Sequence, residues 1–179
     1  MSLAGGMPNI KDLPLDSLAE SARTLISRHG AQAMQYGSGQ GWEDLRHRIT
    51  EVMTYDGINA DPDDVVVTTG SQQALDLVSE IFLEKGDVVL AEAPSYVGAL
   101  GTFRASEGEV VHVDMDEDGL IPEALEEMIR RLRAQGRRIK FLYTIPNFHN
   151  PAGVTLSEQR LPVIVEICRR EHILIVEDN

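Results

Sequence analysis

The sequence predicts an α/β fold, with a mostly parallel sheet and helices on both of its faces. Short apolar runs of strand length alternate with helical patterns along the chain, and within each run the apolar residues are continuous. Continuous apolar strands are typical of parallel sheets that are buried on both faces. The chain has 179 residues, of which 42% are hydrophobic and 25% charged, so it can form one domain with a substantial core.

The predicted elements follow one another in a regular order. Two helices, near Leu15–His29 and Gly41–Tyr55, precede the first predicted strand. Because no strand is predicted before residue 41, we expect an N-terminal arm and helix over residues 1–40 and the main body over residues 41–179. The five predicted strands are bounded by Gly, Pro, Asp or Asn. They are Val65–Thr68, Val88–Ala91, Val110–Val113, Phe141–Thr144 and Ile173–Val176.

Helices are predicted between these strands. Apolar residues recur at helical spacing from Ala74 to Phe82 and again from Leu125 to Leu132. A third apolar stripe includes Cys168, the single cysteine, which cannot form an internal disulfide. We therefore expect Cys168 to pack in the core and to have no redox role.

Charge and hydropathy exclude several classes of function. The formal net charge is -13, which argues against a nucleic-acid surface, because phosphate binding requires clustered Lys and Arg. No apolar run is long enough to span a bilayer, and no signal peptide is recognisable. The sequence therefore predicts a cytoplasmic protein without a nucleic-acid or membrane partner.

A glycine and polar residues follow the first predicted strand. In an open α/β sheet, ligands bind beyond the carboxyl ends of the strands. Gly70, Ser71 and Gln72 open a helix there, where free N–H groups and the serine hydroxyl form an anion site. An ordinary serine N-cap explains the same residues, so both interpretations remain open.

The ends of the later strands add an aromatic ring, an amide and a carboxylate. Tyr96 follows the second strand, Asn150 lies in the loop after the fourth, and Asp178 follows the fifth. Separately, Tyr96 could be a packing residue and Asp178 a turn or cap residue. Together with the anion site, they suit a flat, phosphorylated ring that contains nitrogen, and pyridoxal 5′-phosphate (PLP) has that chemistry.

Six segments carry a resemblance to a known family. The sequence resembles the fold-type I, class I/II aminotransferases, particularly the branch that acts on aminoadipate, kynurenine and aromatic or branched-chain amino acids. The segments run in order along nearly the whole chain. They are AGGMPN, QYGSGQGWEDLR, TTGSQQALDL, VVLAEAPSY, YTIPNFHNPAG and IVEDN.

The resemblance implies a role for each matched residue. Ser71 and Gln72 would bind the PLP phosphate, and Tyr96 would stack on the ring. Asn150 would bind the phenolic oxygen, with its bond to Pro151 in the cis form, and it would also contact the substrate. Asp178 would pair with the ring nitrogen and keep it protonated. His149 is expected to be a loop residue or a neighbour of the site that is incidental to the chemistry.

The resemblance further implies a homodimer with shared sites. Tyr36 would reach the phosphate of the PLP in the partner subunit. Gly5 and Gly6 would belong to a segment that closes over the substrate. The implied fold is the large domain of the aspartate aminotransferase type, of which residues 41–179 would be the first half.

The sequence departs from the family in lacking a Schiff-base lysine, so no catalytic residue is assigned. Its only lysines are Lys11, in the arm, and Lys85 and Lys140, which precede strands at the opposite edge of the sheet. We therefore expect the chain to be the N-terminal portion of an aminotransferase, inactive alone. Two alternatives remain open: an aminotransferase-like effector domain of a transcriptional regulator, and a PLP-dependent lyase or synthase. The sequence does not decide which amino acid is the substrate.

Overall fold

The computed structural model describes residues 10–179, which form two compact units divided between Val67 and Thr68. The first unit contains helices α1 (Leu15–Ala33) and α2 (Glu43–Met53), and no strand occurs in its described part. Both helices agree with the sequence prediction. Among residues 10–179, no helix is both long and apolar enough to cross a membrane.

The second unit alternates helices with strands, as predicted. Its elements are α3 (Ser71–Phe82), β1 (Val88–Ala93), α4 (Val97–Ala105), β2 (Glu109–Asp116), β3 (Gly119–Leu120), α5 (Pro122–Ala134), β4 (Ile139–Thr144), α6 (Leu161–Arg170) and β5 (Leu174–Glu177). Helix α4 and the two-residue strand β3 were not predicted from the sequence.

The strands form one mostly parallel sheet in the order β3-β2-β1-β4-β5. β1 pairs in parallel with β2 and β4, and β4 pairs in parallel with β5. Only the pairing of β2 with β3 is antiparallel among the described strands. The predicted fold class is confirmed.

Helices cover both faces of this sheet, and the side chains of β1 pack against helices on each face. Val88 and Leu90 belong to a core cluster with apolar residues of α5 and α6, whereas Val89 and Ala91 belong to a second cluster with residues of α3 and α4. Successive side chains of a strand point to opposite faces, so a continuous apolar run supplies both clusters. Cys168 lies in the first cluster, 1% exposed, as expected. Burial raises the pKa of its thiol to about 11, which keeps the thiol protonated at neutral pH.

The predicted strand Val65–Thr68 is wrong, because these residues have no strand partner among residues 10–179. Val65 has φ -99° and ψ 128°, and the N–H of Val67 donates to the Gln40 carbonyl over 2.8 Å. An apolar, β-branched run favours extended backbone, but a strand also needs a neighbour to complete its hydrogen bonds. The extended backbone of Val65 agrees with this local preference, but the segment does not join the sheet.

Candidate cofactor-binding site

Three neighbouring parallel strands end at one edge of the sheet, and each is followed by a predicted site residue. Tyr96 comes after β1, Asn150 lies in the loop after β4, and Asp178 directly follows β5. Because β1, β4 and β5 are parallel, their carboxyl ends share this edge. We call it the carboxyl edge. It is the place where ligands bind in open α/β sheets.

Asp178 is held at the carboxyl edge by two hydrogen bonds to β4. Its N–H donates to the Thr144 carbonyl over 3.0 Å, and its Oδ2 accepts the Tyr143 hydroxyl over 2.5 Å. The Tyr143 side chain is fully buried, and burial, followed by the bond to the Asp178 carboxylate, raises the pKa of its phenol well above the ordinary range. Tyr143 therefore remains a hydrogen-bond donor to Asp178 at neutral pH.

Tyr96 is a half-buried residue at the start of α4. It occupies the N-cap position and packs against the core cluster of α3, α4 and β1. Gly98 makes room for its ring, because a Cβ on Gly98 would lie 2.4 Å from Tyr96 Cζ. The Tyr96 ring thus occupies space that a side chain at position 98 would take, beside the end of β1.

The first turn of α3 supplies backbone N–H groups that have no acceptor within the helix. Gly70, the N-cap, has φ 78° and ψ 164°, a backbone region that is essentially restricted to glycine. Ser71 and Gln72 are exposed, and no side chain caps the helix. The Gln72 amide donates to Thr102 Oγ1 in α4, which ties the helix start to the helix that Tyr96 begins. An exposed helix start with free N–H groups can bind an anion.

Asn150 lies in the loop between β4 and α6, which is held in a folded-back shape by backbone hydrogen bonds. The N–H of His149 donates to the Val154 carbonyl, and the N–H of Leu156 donates to the Pro146 carbonyl, each over 2.8 Å. The peptide bond between Asn150 and Pro151 is cis, as the resemblance implied. Asn150 itself is exposed and so can contact a ligand.

The other predicted site residues lie outside the second unit or outside the described residues. Tyr36 belongs to the first unit and is 99% exposed. Gly5 and Gly6 lie outside the described residues. Lys85 pairs with Glu107 over 3.1 Å, and Lys140 lies 3.5 Å from Asp87, at the amino ends of β1 and β4. Neither of these two lysines reaches the site, as expected.

Three residues at the carboxyl edge were not predicted as part of the site. Tyr143 holds Asp178, and Glu92 and His149 form a buried pair beneath the loop of Asn150. Glu92 and Tyr143 lie within apolar strand runs, where a polar residue is itself a signal of a special contact. His149 was expected to be incidental, but it is 2% exposed.

Comparisons with known proteins agree with this geometry. The family described as Aminotransferase class I and II matches residues 4–179. Aromatic-amino-acid aminotransferase 1 of Thermococcus litoralis is 40% identical over 181 residues, which cover 100% of this chain and 43% of that protein. This chain thus spans less than half the length of the relative.

Solved structures give the same result in three dimensions. The crystal structure of an archaeal alanine:glyoxylate aminotransferase matches with a TM-score of 0.92 and 34% identity, over 96% of this chain and 42% of that one. LysN, the α-aminoadipate aminotransferase of Thermus thermophilus, was solved with N-(5′-phosphopyridoxyl)-L-leucine. It matches with a TM-score of 0.88 and 36% identity, over 97% of this chain and 42% of that one. The chain belongs to the class I and II aminotransferase family.

Proposed function

We propose that this chain forms part of a PLP-dependent aminotransferase, which transfers an amino group between an amino acid and a 2-oxo acid. The main support for this proposal is that Tyr96, Asn150 and Asp178 follow three neighbouring parallel strands at the carboxyl edge. Family membership supports the reaction class, and the phosphopyridoxyl group in the LysN complex supports the cofactor.

The side chains of the site fit the chemistry of PLP. The phosphate is a dianion that suits the free N–H groups of Ser71 and Gln72 at the start of α3. Tyr96 supplies an aromatic face for the ring. The Asn150 amide would donate to the phenolic oxygen, and the Asp178 carboxylate would accept a hydrogen bond from the protonated ring nitrogen.

When bound, PLP supplies an electron sink for the negative charge that develops on the substrate's α-carbon. Asp178 favours the charged, protonated form of the ring nitrogen, because an opposite charge nearby stabilises it. Tyr143 and Thr144 fix Asp178 in place for this task. Tyr96 would lie against one face of the ring and exclude water from that face.

The wider organisation follows as part of the same proposal. Residues 1–40 form the arm and its helix, and residues 41–179 form the first half of the cofactor-binding domain. In a homodimer, Tyr36 binds the phosphate of the partner's cofactor. Gly5, Gly6 and Asn150 contact the substrate. The Schiff-base lysine of the family is not among Lys11, Lys85 and Lys140, so we expect no transfer activity from this chain alone.

The test is the affinity of the chain for pyridoxamine 5′-phosphate, measured by isothermal titration calorimetry. This probe has the ring and phosphate of PLP but no aldehyde that could react with surface lysines. We expect wild-type protein to bind it and Asp178→Asn to bind it roughly 30-fold more weakly, because a charged hydrogen bond contributes about 2 kcal/mol.

The control is Asp56→Asn, an exposed carboxylate in the first unit that has no part in the site. It should leave the dissociation constant unchanged. Equal affinity of the Asp178→Asn variant and the wild type would show that Asp178 does not bind the ring nitrogen.

A further inference from the structure

A buried carboxylate and a buried imidazole meet beneath the loop of Asn150. Glu92 is 1% exposed and His149 2%, and His149 Nε2 lies 3.1 Å from Glu92 Oε2. The two groups are close without being aligned for a hydrogen bond, and Nε2 has no other partner among residues 10–179. Because burying such groups costs free energy unless they interact, their contact calls for an explanation. The proposed cofactor contacts use neither residue.

Glu92 is fixed by the end of β4. Its Oε1 accepts the Thr144 hydroxyl over 2.8 Å, and its Oε2 accepts the Ile145 N–H over 2.9 Å. Glu92 is in β1, and both donors are buried. The carboxylate therefore joins two strands at the carboxyl edge and forms a rigid support.

His149 holds the loop that follows. Its Nδ1 accepts the Ala152 N–H over 3.3 Å, its N–H donates to the Val154 carbonyl, and its carbonyl accepts the Gly153 N–H. In a neutral imidazole, an Nδ1 that accepts leaves the ring hydrogen on Nε2. The Nε2 side of the ring lies 3.1 Å from Glu92 Oε2, and this buried polar contact packs the loop against β1.

We propose that Glu92 and His149 are positioning residues that hold Asn150 where its amide meets the phenolic oxygen of the cofactor. Asn150 directly follows His149, and the loop closes on both sides of it through the bonds of His149 to Ala152, Gly153 and Val154. Fixing the imidazole therefore fixes the backbone of Asn150. This inference rests on the proposed function, because it concerns the same cofactor.

The experiment compares two ligands. 3-Deoxypyridoxamine 5′-phosphate lacks the phenolic oxygen, so the ratio of its dissociation constant to that of pyridoxamine 5′-phosphate measures the Asn150 contact. We expect a ratio of roughly 10 for the wild type, since one hydrogen bond to a charged oxygen gives about that discrimination. In His149→Leu, which removes both ring nitrogens, the ratio should fall to about 1 while the 3-deoxy compound binds as before.

The conservative variant His149→Gln retains one donor and one acceptor and should restore the ratio. A second readout needs no ligand: the side-chain amide signals of Asn150 in ¹H–¹⁵N spectra should change in His149→Leu and in Glu92→Gln, but return to the wild-type position in His149→Gln.

Three outcomes would overturn the inference. They are an unchanged ratio in His149→Leu, an equal loss of affinity for both ligands, and unchanged Asn150 amide signals. Failure of the wild type to bind either ligand would instead contradict the proposed function. In that case the Asn150 signals of the ligand-free chain still decide whether Glu92 and His149 position this residue.

Discussion

Gly98 determines where the ring of Tyr96 can lie. A Cβ at this position would be 2.4 Å from Tyr96 Cζ and 2.5 Å from its hydroxyl oxygen. The atoms in conflict are at the end of a side chain that can rotate, so the ring would move and the helix would remain. Because glycine has no side chain, the Tyr96 ring can occupy its present position.

We therefore expect Gly98→Ala to weaken binding of pyridoxamine 5′-phosphate without unfolding the protein. Loss of a well-placed aromatic contact should raise the dissociation constant roughly 2- to 10-fold. The matched control is Gly101→Ala in the same helix, where an added Cβ meets no atom within 4 Å. Both substitutions favour α4 through helix propensity, by up to about 1 kcal/mol. Calorimetric titration of both variants provides the test, and equal affinities would contradict the role of Gly98.

Single residues differ in how well the sequence predicts them. Tyr96, Asn150 and Asp178 were found because each follows an apolar run, and parallel strands bring such positions together. The contacts of Tyr143 and His149 were not found. The contact of Tyr143 depends on the register of β4 with β5, and the contact of His149 depends on the path of a loop. The distance between two residues along the sequence specifies neither.

At the level of the elements, Asp87 joins the amino ends of β1 and β4. Its buried carboxylate accepts the Glu84 N–H over 2.9 Å, pairs with Arg138 and lies 3.5 Å from Lys140 Nζ. Burial acts to raise the pKa of Asp87, but the Glu84 N–H, the Arg138 guanidinium and the Lys140 ammonium outweigh it and hold the pKa below its ordinary value.

This lowered pKa predicts a pH-dependent contribution to stability. The contribution is complete above the unfolded-state pKa of about 3.9 and is lost as the pH falls through the lower folded-state pKa. We expect Asp87→Asn to lower the free energy of unfolding by about 1–3 kcal/mol at pH 7, and by less at pH 3. Urea unfolding of both proteins between pH 3 and pH 7 measures the difference. A difference that does not change with pH would contradict the account, and Asp56→Asn serves as the exposed control.

Strands were predicted correctly where an apolar run in the sequence also has a partner strand in the sheet. The four strands β1, β2, β4 and β5 have apolar runs and also have partners in the sheet. Val65–Thr68 has the run alone, and its backbone bonds to Gln40 instead. Helix α4 was not predicted, because its buried residues Ala99, Leu100, Thr102 and Phe103 include small and polar types that weaken the periodic signal.

At the scale of the molecule, the alternation of strands and helices was enough to predict the fold. The sheet divides the second unit into two apolar clusters, and Tyr96, Asn150 and Asp178 follow three neighbouring strands at one edge. β5 is the edge strand opposite β3 in the sheet. Its residues Leu174 and Ile175 are 50% and 37% exposed, respectively. The chain spans 43% of its Thermococcus litoralis relative, so the activity of the whole protein stays a proposal.

The central claim is that one pyridoxyl ring binds at the carboxyl edge. The most direct measurement is the map of backbone amide shifts in ¹H–¹⁵N spectra of the chain as pyridoxamine 5′-phosphate is added. We expect the largest shifts in the first turn of α3, near Tyr96, in the loop of Asn150 and at Asp178. Saturable shifts confined to other parts of the chain, or none at all, would contradict it.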